Sequence, residues 1–348
     1  MRYEKLQSAD SGPVLGDAKT GKLKYIDIMA ARLNSWCKIA KLVISLTTIP
    51  PRFACVHECL PPLLVQVADV AAINLYMPQS YKRFGYAKSD LLRLPKGVNF
   101  GVVYEDLGLA IKILPACREY QGQNVCILRC DDDKIYDQDW AQRYLVVSKE
   151  LPDSVICEWG SHLSHPHYAN KSNWVSHRRP QATPICRDFR YGNRRILNLG
   201  QWWSLNWLES GYIDILEGCG VVMMVRPEFF DDFAWRIPDI LWTVDDVWLS
   251  GWLEIKGIPI WLNAKSKPVI NETSNEVENA ALKIFVYKGH ARKAANKECI
   301  AHFRQSFGIW GGWSKHSPAW LTLHRSAGSR VIIVASCTVF KKYFQRYK

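Results

Sequence analysis

The sequence predicts an α/β protein, built on a mainly parallel, Rossmann-like sheet that is flanked by helices. Strand and helix patterns alternate from residue 41 to residue 157, which is typical of parallel strands joined by helical crossovers. An apolar run at 125–128 indicates a strand buried on both faces, and three consecutive aspartates follow it. The chain has 348 residues and is 48% hydrophobic, enough to bury a large core.

We expect a single catalytic domain over residues 41–310, preceded by an N-terminal extension (1–40) and followed by a helical and basic C-terminal tail (311–348). Within the domain, residues 158–201 form a long basic insertion without clear periodicity. Such a stretch in a compact domain is usually functional or mobile, and we interpret it as reaching toward an anionic substrate. The tail joins a short apolar run to a basic end, which could dock on the protein itself or lie at an anionic membrane surface; we favour the membrane.

The formal charge of +12 favours an anionic partner such as nucleotide phosphates, an acidic glycan, a phospholipid surface or nucleic acid. No apolar run is long enough for a transmembrane helix, and the N-terminus lacks the apolar core of a signal peptide. The 11 cysteines are scattered without CxxC spacing, which indicates a reducing compartment and no structural zinc. We therefore expect a cytoplasmic protein, peripheral on the cytoplasmic face of a membrane.

The first predicted strand, 41–46, is followed by the loop TTIPPRF at 47–53. In this loop Thr47, Thr48 and Arg52 present hydroxyls and a guanidinium at the carboxyl end of the strand, where they could hold a nucleotide. The alternative is an ordinary strand-to-helix turn. A helix is predicted at 60–67, with strands at 72–76 and 98–104.

The segment 105–116 begins with a helix-start pattern at Asp106 and Gly108, which would place Lys112 one turn inside the helix. A helix N-terminus with a lysine suits a pyrophosphate, although helices begin this way in many proteins. A helix at 139–150 and a strand at 153–157 complete the alternating region.

Asp131, Asp132 and Asp133 follow the buried strand directly. Adjacent carboxylates repel one another, and a hard cation such as Mn²⁺ or Mg²⁺ would relieve that cost at the sheet edge where α/β proteins bind ligands. The alternative is a solvated acidic turn. Side chains that point into open water or are tied up in salt bridges would count against the cation site.

In the second half, 216–225 is predicted as a strand in which Gly218 and Gly220 let a ligand approach the backbone. Asp245 and Asp246 precede a helical run at 247–256. They either interact with the helix dipole or supply a general base for an acceptor hydroxyl. A strand at 258–262 and a helix at 291–307 follow.

Six motifs occur in order: VISLTTIPPRF, EDLG-x-x-x-K, ILRCDDD-x-IY, EGCGVVMMVRPEFF, VDDVWLSG and GIPIW. Together they resemble a mostly microbial family of GT-A-fold, DXD-containing, nucleotide-sugar-dependent glycosyltransferases, over about residues 41–262. The resemblance implies a GT-A-like fold, a nucleotide-diphosphate-sugar donor and a divalent metal, Mn²⁺ or Mg²⁺, on the pyrophosphate. The sequence departs from the family pattern at LAIK, where PATK is expected. It also departs at the middle position of the DXD motif, which is itself an aspartate, Asp132.

The resemblance also implies roles for single residues. Asp133, with Asp131, would ligate the metal, and Asp131 would also face the ribose or sugar; Asp132 leaves open which two carboxylates hold the ion. Asp246, or Asp245, would activate the acceptor. The remaining donor-site positions would be Thr47, Thr48, Arg52, Asp106, Lys112, Gly218 and Gly220.

The implied reaction is metal-dependent transfer of a hexosyl or pentosyl group to a hydroxyl of a glycan or lipid-linked acceptor, as in polysaccharide biosynthesis. We favour inversion, which needs one carboxylate base. If the outcome is retention, Asp246 would position the acceptor or stabilise the oxocarbenium-like centre. Three rivals stay open: a metal-dependent phosphohydrolase, a basic nucleic-acid-binding protein, and an inactive carbohydrate-binding relic. Nucleic-acid binding is not expected, because it leaves the carboxylates at strand and helix ends unexplained.

Overall fold

The computed structural model describes residues 40–85, 93–164, 176–185, 207–216, 222–264, 270–271 and 285–311. The strands are β1 (Lys41–Thr47), β2 (Val70–Pro78), β3 (Val98–Val103), β4 (Val125–Arg129), β5 (Lys134–Ile135), β6 (Val155–Cys157), β7 (Thr183–Pro184), β8 (Trp207–Glu209), β9 (Gly211–Ile213), β10 (Met223–Val225), β11 (Ile260–Leu262), β12 (Ile270–Asn271), β13 (Val286–Tyr287) and β14 (His290–Ala291). The α-helices are α1 (Phe53–Leu64), α2 (Leu114–Glu119), α3 (Trp140–Glu150), α4 (Asp245–Ile255) and α5 (Arg292–Phe307). Short 3-10 helices cover Pro50–Arg52, Gly108–Lys112, Pro227–Phe229 and Asp239–Leu241.

One eight-stranded sheet organises these elements, in the order β3-β2-β1-β4-β10-β6-β11-β9. The strands β3, β2, β1 and β4 run parallel to their neighbours, as β11 does to β6. The strand β10 runs antiparallel between β4 and β6, and β9 is antiparallel to β11. The predicted α/β class, with a mainly parallel sheet flanked by helices, is confirmed.

The sheet reverses its strand order between β1 and β4. From β1 the chain proceeds to β2 and β3 on one side and then returns to β4 on the other. In open α/β sheets, ligands bind beyond the carboxyl ends of the strands at such a reversal. The two segments that leave these ends are the loop beginning at Thr48 and the segment beginning at Cys130. The topology therefore brings the TTIPPRF loop next to the acidic motif.

The central strands are buried on both faces because helices cover the sheet on both sides. In β4, Val125 and Ile127 pack into one apolar cluster, whereas Cys126 and Leu128 pack into the other. Side chains alternate along a strand, so only a continuous apolar run satisfies both clusters. The run at 125–128 is this strand, and it extends one residue further, to Arg129.

The first helix begins earlier than predicted. It starts at Phe53 and ends at Leu64, not at residues 60–67. Pro50 and Pro51 lie in a 3-10 turn instead of separating the loop from a later helix, because the first turn of a helix needs no donor from them. The helix is fixed by the packing of its buried side chains, among them Phe53, against the sheet.

A helix was predicted to start at Asp106 and Gly108, with Lys112 one turn inside it. A helix does start at Gly108, but it is a short 3-10 helix that ends at Lys112, and the α-helix that follows begins only at Leu114. The described part of the predicted strand 216–225 is Met223–Val225. Gly218, Gly220, the N-terminal extension, most of the basic insertion and the tail beyond residue 311 lie outside the described residues. Among the helices of the described part, none is long and apolar enough to cross a bilayer.

Candidate active site

Arg52 joins the loop after β1 to the acidic motif after β4. Its Nη1 atom lies 3.1 Å from Asp132 Oδ1 and 2.9 Å from Asp133 Oδ2. The Thr48 hydroxyl donates a 2.7 Å hydrogen bond to Asp132 Oδ2, so both oxygens of Asp132 are engaged. Burial raises the pKa of Asp132 even though Arg52 acts to lower it. The structure thus brings Thr48 and Arg52 into contact with the acidic motif.

Lys112 forms a buried ion pair with Asp131. Burial would raise the pKa of Asp131, but the positive charges of Lys112 and Arg129 outweigh it, so the pKa lies below its ordinary value. The same pairing outweighs the effect of burial on Lys112 and raises the pKa of that ammonium group. The Asp131 N–H donates a 2.8 Å hydrogen bond to the Tyr136 hydroxyl, which fixes the backbone at the start of the motif.

Each of the three aspartates thus lies beside a cation of the chain itself, with two cations facing three carboxylates. Lys112 faces Asp131, and Arg52 faces both Asp132 and Asp133. Across the described part of the chain, no group of three or more His, Cys, Asp or Glu side chains is arranged to hold a metal ion. These ion pairs count against a cation site formed by the three aspartates together, and charge repulsion within the motif does not by itself require a metal.

Asp133 is the carboxylate of this motif that fits a divalent cation. About a quarter of its side chain (26%) is exposed, and its Oδ1 atom is buried without a hydrogen-bond partner. The Lys134 ammonium is 4.0 Å from that oxygen, at the outer limit of an ion pair. Mg²⁺ is commonly held by only one or two carboxylates, with substrate phosphates and waters completing its coordination. Asp133 is therefore compatible with contributing a single ligand to such an ion.

A second pair of carboxylates lies at the first turn of α4. Arg129, the last residue of β4, spans both: Nη1 is 3.2 Å from Asp245 Oδ2, and Nη2 is 3.0 Å from Asp246 Oδ1. Arg292, the first residue of α5, reaches the other oxygen of Asp246, with Nη2 3.4 Å from Oδ2. Since Arg129 is two residues from Asp131, the acidic motif and the Asp245–Asp246 pair meet at one edge of the sheet.

Asp246 has the proton affinity of a general base. Burial and the adjacent carboxylate of Asp245 raise the pKa of Asp246 to about 6, against the lowering effects of Arg129, Arg292 and Lys112. A base is most effective when its pKa lies near the working pH. The helix dipole does not explain this raised pKa. A helix N-terminus stabilises negative charge, so the dipole alone would lower the pKa of a carboxylate there.

Asp106 and Thr47, two further predicted site residues, have structural contacts within the chain. Both carboxylate oxygens of Asp106 accept backbone hydrogen bonds, from Gly108 and from Lys82, each 2.8 Å long. The Asp106 carbonyl accepts a 2.9 Å bond from the Trp242 indole N–H. The Thr47 hydroxyl donates to the Tyr76 carbonyl at 2.6 Å and so links β1 to β2. These two residues shape the loops around the site in the absence of a ligand.

Gly108→Ala is expected to destabilise the fold more than Gly122→Ala does. Both glycines have positive φ angles, +62° and +76°, so alanine costs roughly 1–2 kcal/mol of backbone strain at either position. A Cβ at Gly108 would also lie 2.6 Å from the Trp242 carbonyl oxygen, whereas one at Gly122 meets nothing within 4 Å. Chemical denaturation of both variants measures the difference. Equal losses would show that the loop carrying Asp106 tolerates the contact.

Sequence reasoning missed Arg129 and Arg292. The sequence could have indicated Arg129 as a site residue, because it is a charged residue that directly continues an apolar strand toward the acidic motif. The sequence contains no such indication for Arg292. It lies 46 residues from Asp246 in the chain, and only the packing of α5 on α4 brings them together. Of the predicted site residues, Gly218 and Gly220 alone lie outside the described part of the chain.

The fold and site together define an α/β protein with an acidic, cation-matched site at the reversal of its sheet. No protein-family model matches the chain, and no curated protein matches it in sequence. Among solved structures it is similar to S. aureus TarS 1-349, with 10% sequence identity and a TM-score of 0.37. That similarity covers 66% of this chain and 59% of TarS 1-349, so the chain spans less than two thirds of that neighbour. A likeness this distant carries no argument about function, which must come from the site.

Proposed function

We propose that the protein is a metal-dependent glycosyltransferase that moves a sugar from a nucleotide-diphosphate donor to a hydroxyl of a glycan or lipid-linked acceptor. The observation that carries the proposal is the meeting, at one sheet edge, of a basic and acidic donor cluster with a carboxylate whose pKa is raised to about 6. Sugar transfer needs both parts: cations for a departing diphosphate and a base for an acceptor hydroxyl.

The donor diphosphate is assigned to the crevice beyond β1 and β4. Arg52 and Lys112 converge there from separate loops, and a guanidinium with an ammonium suits phosphate oxygens. A quarter of the Arg52 side chain (25%) is exposed, so an incoming phosphate can reach it. Thr48 keeps Asp132 in place through its hydroxyl while Arg52 engages the donor.

Asp133 is the proposed metal ligand, because its buried Oδ1 atom has no hydrogen-bond partner and a quarter of its side chain is exposed. Asp131 is the second candidate ligand, although Lys112 holds it in this structure. When bound, Mn²⁺ or Mg²⁺ would supply positive charge to the diphosphate. The chain's own contribution is to fix Asp131 through Tyr136 and Lys112, and Asp133 through Arg52.

Asp246 is the proposed base, and we favour inversion of the anomeric centre. The acceptor oxygen forms a bond to the anomeric carbon while the bond from that carbon to the diphosphate oxygen breaks. The nucleoside diphosphate leaves with the electron pair, and the hydroxyl proton passes to Asp246. The adjacent buried carboxylate of Asp245, which lies beside Arg129, contributes to the raised pKa of Asp246.

Melting-temperature shifts test the donor assignment. UDP or GDP is expected to raise the melting temperature further when Mn²⁺ is present, because a ligand that binds only the folded state stabilises it. Asp133→Ala is expected to abolish the metal-dependent part of that shift. The matched control is Asp153→Ala, which removes an exposed carboxylate away from the acidic motif and should leave the shift unchanged.

A screen of nucleotide sugars with glycan and lipid-linked acceptors then tests transfer itself. Release of nucleoside diphosphate coupled to acceptor glycosylation would establish the activity. Phosphate release without sugar transfer would favour the phosphohydrolase instead, and an unchanged metal-dependent shift in Asp133→Ala would remove the metal assignment.

A further inference from the structure

The two oxygens of Asp246 have different surroundings. Oδ1 is bound by Arg129, whose side chain is 2% exposed, and Oδ2 is bound by Arg292, whose side chain is 27% exposed. The contact to Arg129 is 3.0 Å long and the contact to Arg292 is 3.4 Å long. The Asp246 carboxylate therefore has an inner oxygen held by a buried cation and an outer oxygen held by a cation that water can reach.

Arg129 is placed to orient Asp246. Its Nη2 atom donates a 3.0 Å hydrogen bond to Asp246 Oδ1, and its Nη1 atom forms a 3.2 Å ion pair with Asp245 Oδ2 that lacks hydrogen-bond geometry. One planar guanidinium therefore faces both carboxylates, which a single ammonium does not do in the same way. The Asp246 carbonyl also accepts a 2.6 Å bond from the Ser250 hydroxyl, which in turn accepts the Leu216 N–H. The inner side of Asp246 is thus held on both its carboxylate and its backbone.

We propose that the two arginines have separate tasks at Asp246: Arg129 orients the carboxylate, and Arg292 occupies its outer oxygen until an acceptor hydroxyl takes that position. This inference rests on the proposed function, in which Asp246 accepts the hydroxyl proton. Arg292 is then a positioning residue that must give up its contact with Oδ2 in each catalytic cycle. Its exposure and its longer contact are what such an exchange requires.

The charged groups that face Asp246 come from every element around it: Asp245 on the same helix, Arg129 on β4, Arg292 on α5 and Lys112 on the 3-10 helix. Both arginines favour the ionised carboxylate, so losing either should raise the pKa of Asp246 further. An acceptor that displaces Arg292 would have the same effect at the moment when a proton must be taken up. The exchange thus links acceptor binding to the strength of the base.

The test is a carbon-13 NMR titration of aspartate carboxyl groups in the full-length protein without substrates, with Asp246→Asn used for assignment. In Arg292→Gln we expect the pKa of Asp246 to rise by about one unit, the lower end for loss of a neighbouring opposite charge. Lys293→Gln is the matched control: it removes an exposed positive charge from the next residue of α5 and should leave the titration unchanged. An Asp246 titration that is the same in Arg292→Gln and the unaltered protein would overturn the role of Arg292.

Turnover supplies the second measurement. The rise of kcat with pH is expected to move to higher pH in Arg292→Gln by the amount that the titration moves. In Arg129→Lys, which keeps the charge but not the two-pronged contact, kcat is expected to fall at every pH; unchanged kcat would overturn the orienting role. If the unaltered protein transfers no sugar, the proposed function fails, but the titration still decides whether Arg292 controls Asp246.

Discussion

Asp246→Asn is expected to bind the donor as the unaltered protein does but to turn over about 10²- to 10⁴-fold more slowly, the usual contribution of a general base. Asparagine keeps the size of the side chain and can still meet Arg129, but it cannot accept the proton from the acceptor hydroxyl. Donor binding is measured by calorimetry with nucleoside diphosphate and Mn²⁺, and turnover by product formation.

The pH dependence of the unaltered protein gives the same prediction a second readout. Because the pKa of Asp246 is raised to about 6, turnover should fall as the pH drops below about 6 and the base becomes protonated. The matched control is Asp232→Asn, at a carboxylate that is 82% exposed and pairs with Arg118, which is not a site residue. Near-normal turnover in Asp246→Asn, with an unchanged melting temperature, would exclude Asp246 as the base.

Arg129→Met is expected to lower the free energy of unfolding by about 3–5 kcal/mol, the cost of removing one partner from a buried ion pair. Arg129 is almost fully buried, as are Asp245 and Asp246, so the substitution leaves two carboxylates without their main counter-ion. Urea or guanidinium denaturation measures the loss, as a shift of the midpoint without a change of slope.

Two comparison variants separate this effect from a simple loss of packing. Asp232→Asn breaks the exposed pair between Arg118 and Asp232, and such pairs contribute only about 0–1 kcal/mol. Adding Asp245→Asn and Asp246→Asn to Arg129→Met should recover much of the stability, because no buried charge is then left unpaired. If the triple variant is as unstable as Arg129→Met, the arginine stabilises the fold by packing and not by its charge.

The fold was predictable because it follows from local patterns. The apolar run at 125–128 satisfies two apolar clusters at once, and this fixes a strand in the middle of a sheet. The alternation of strands and helices then requires parallel pairing with crossovers. The start of the first helix was not predictable in this way, because Pro50 and Pro51 mark a turn in the sequence, whereas the buried side chain of Phe53 decides where the helix begins.

The candidate site was predictable only as residue types at strand and helix ends. Asp131, Asp132 and Asp133 follow β4, and Asp245 and Asp246 open α4, as their patterns indicated. The ion-pair partners of these carboxylates were not predictable from the sequence. The sequence did not indicate that Lys112 and Arg52, which lie in other segments of the chain, form ion pairs with these aspartates.

The sequence by itself determined the class of the sheet, the succession of its central elements along the chain and the presence of carboxylates at their ends. Each of these depends on neighbours along the chain. Tertiary structure alone decided which cation faces which carboxylate. Arg129 and Arg292 reach Asp246 from residues 117 and 46 positions away, and no local pattern encodes such a contact. The raised pKa of Asp246 depends on those contacts and on burial, so it could be inferred only from the folded structure.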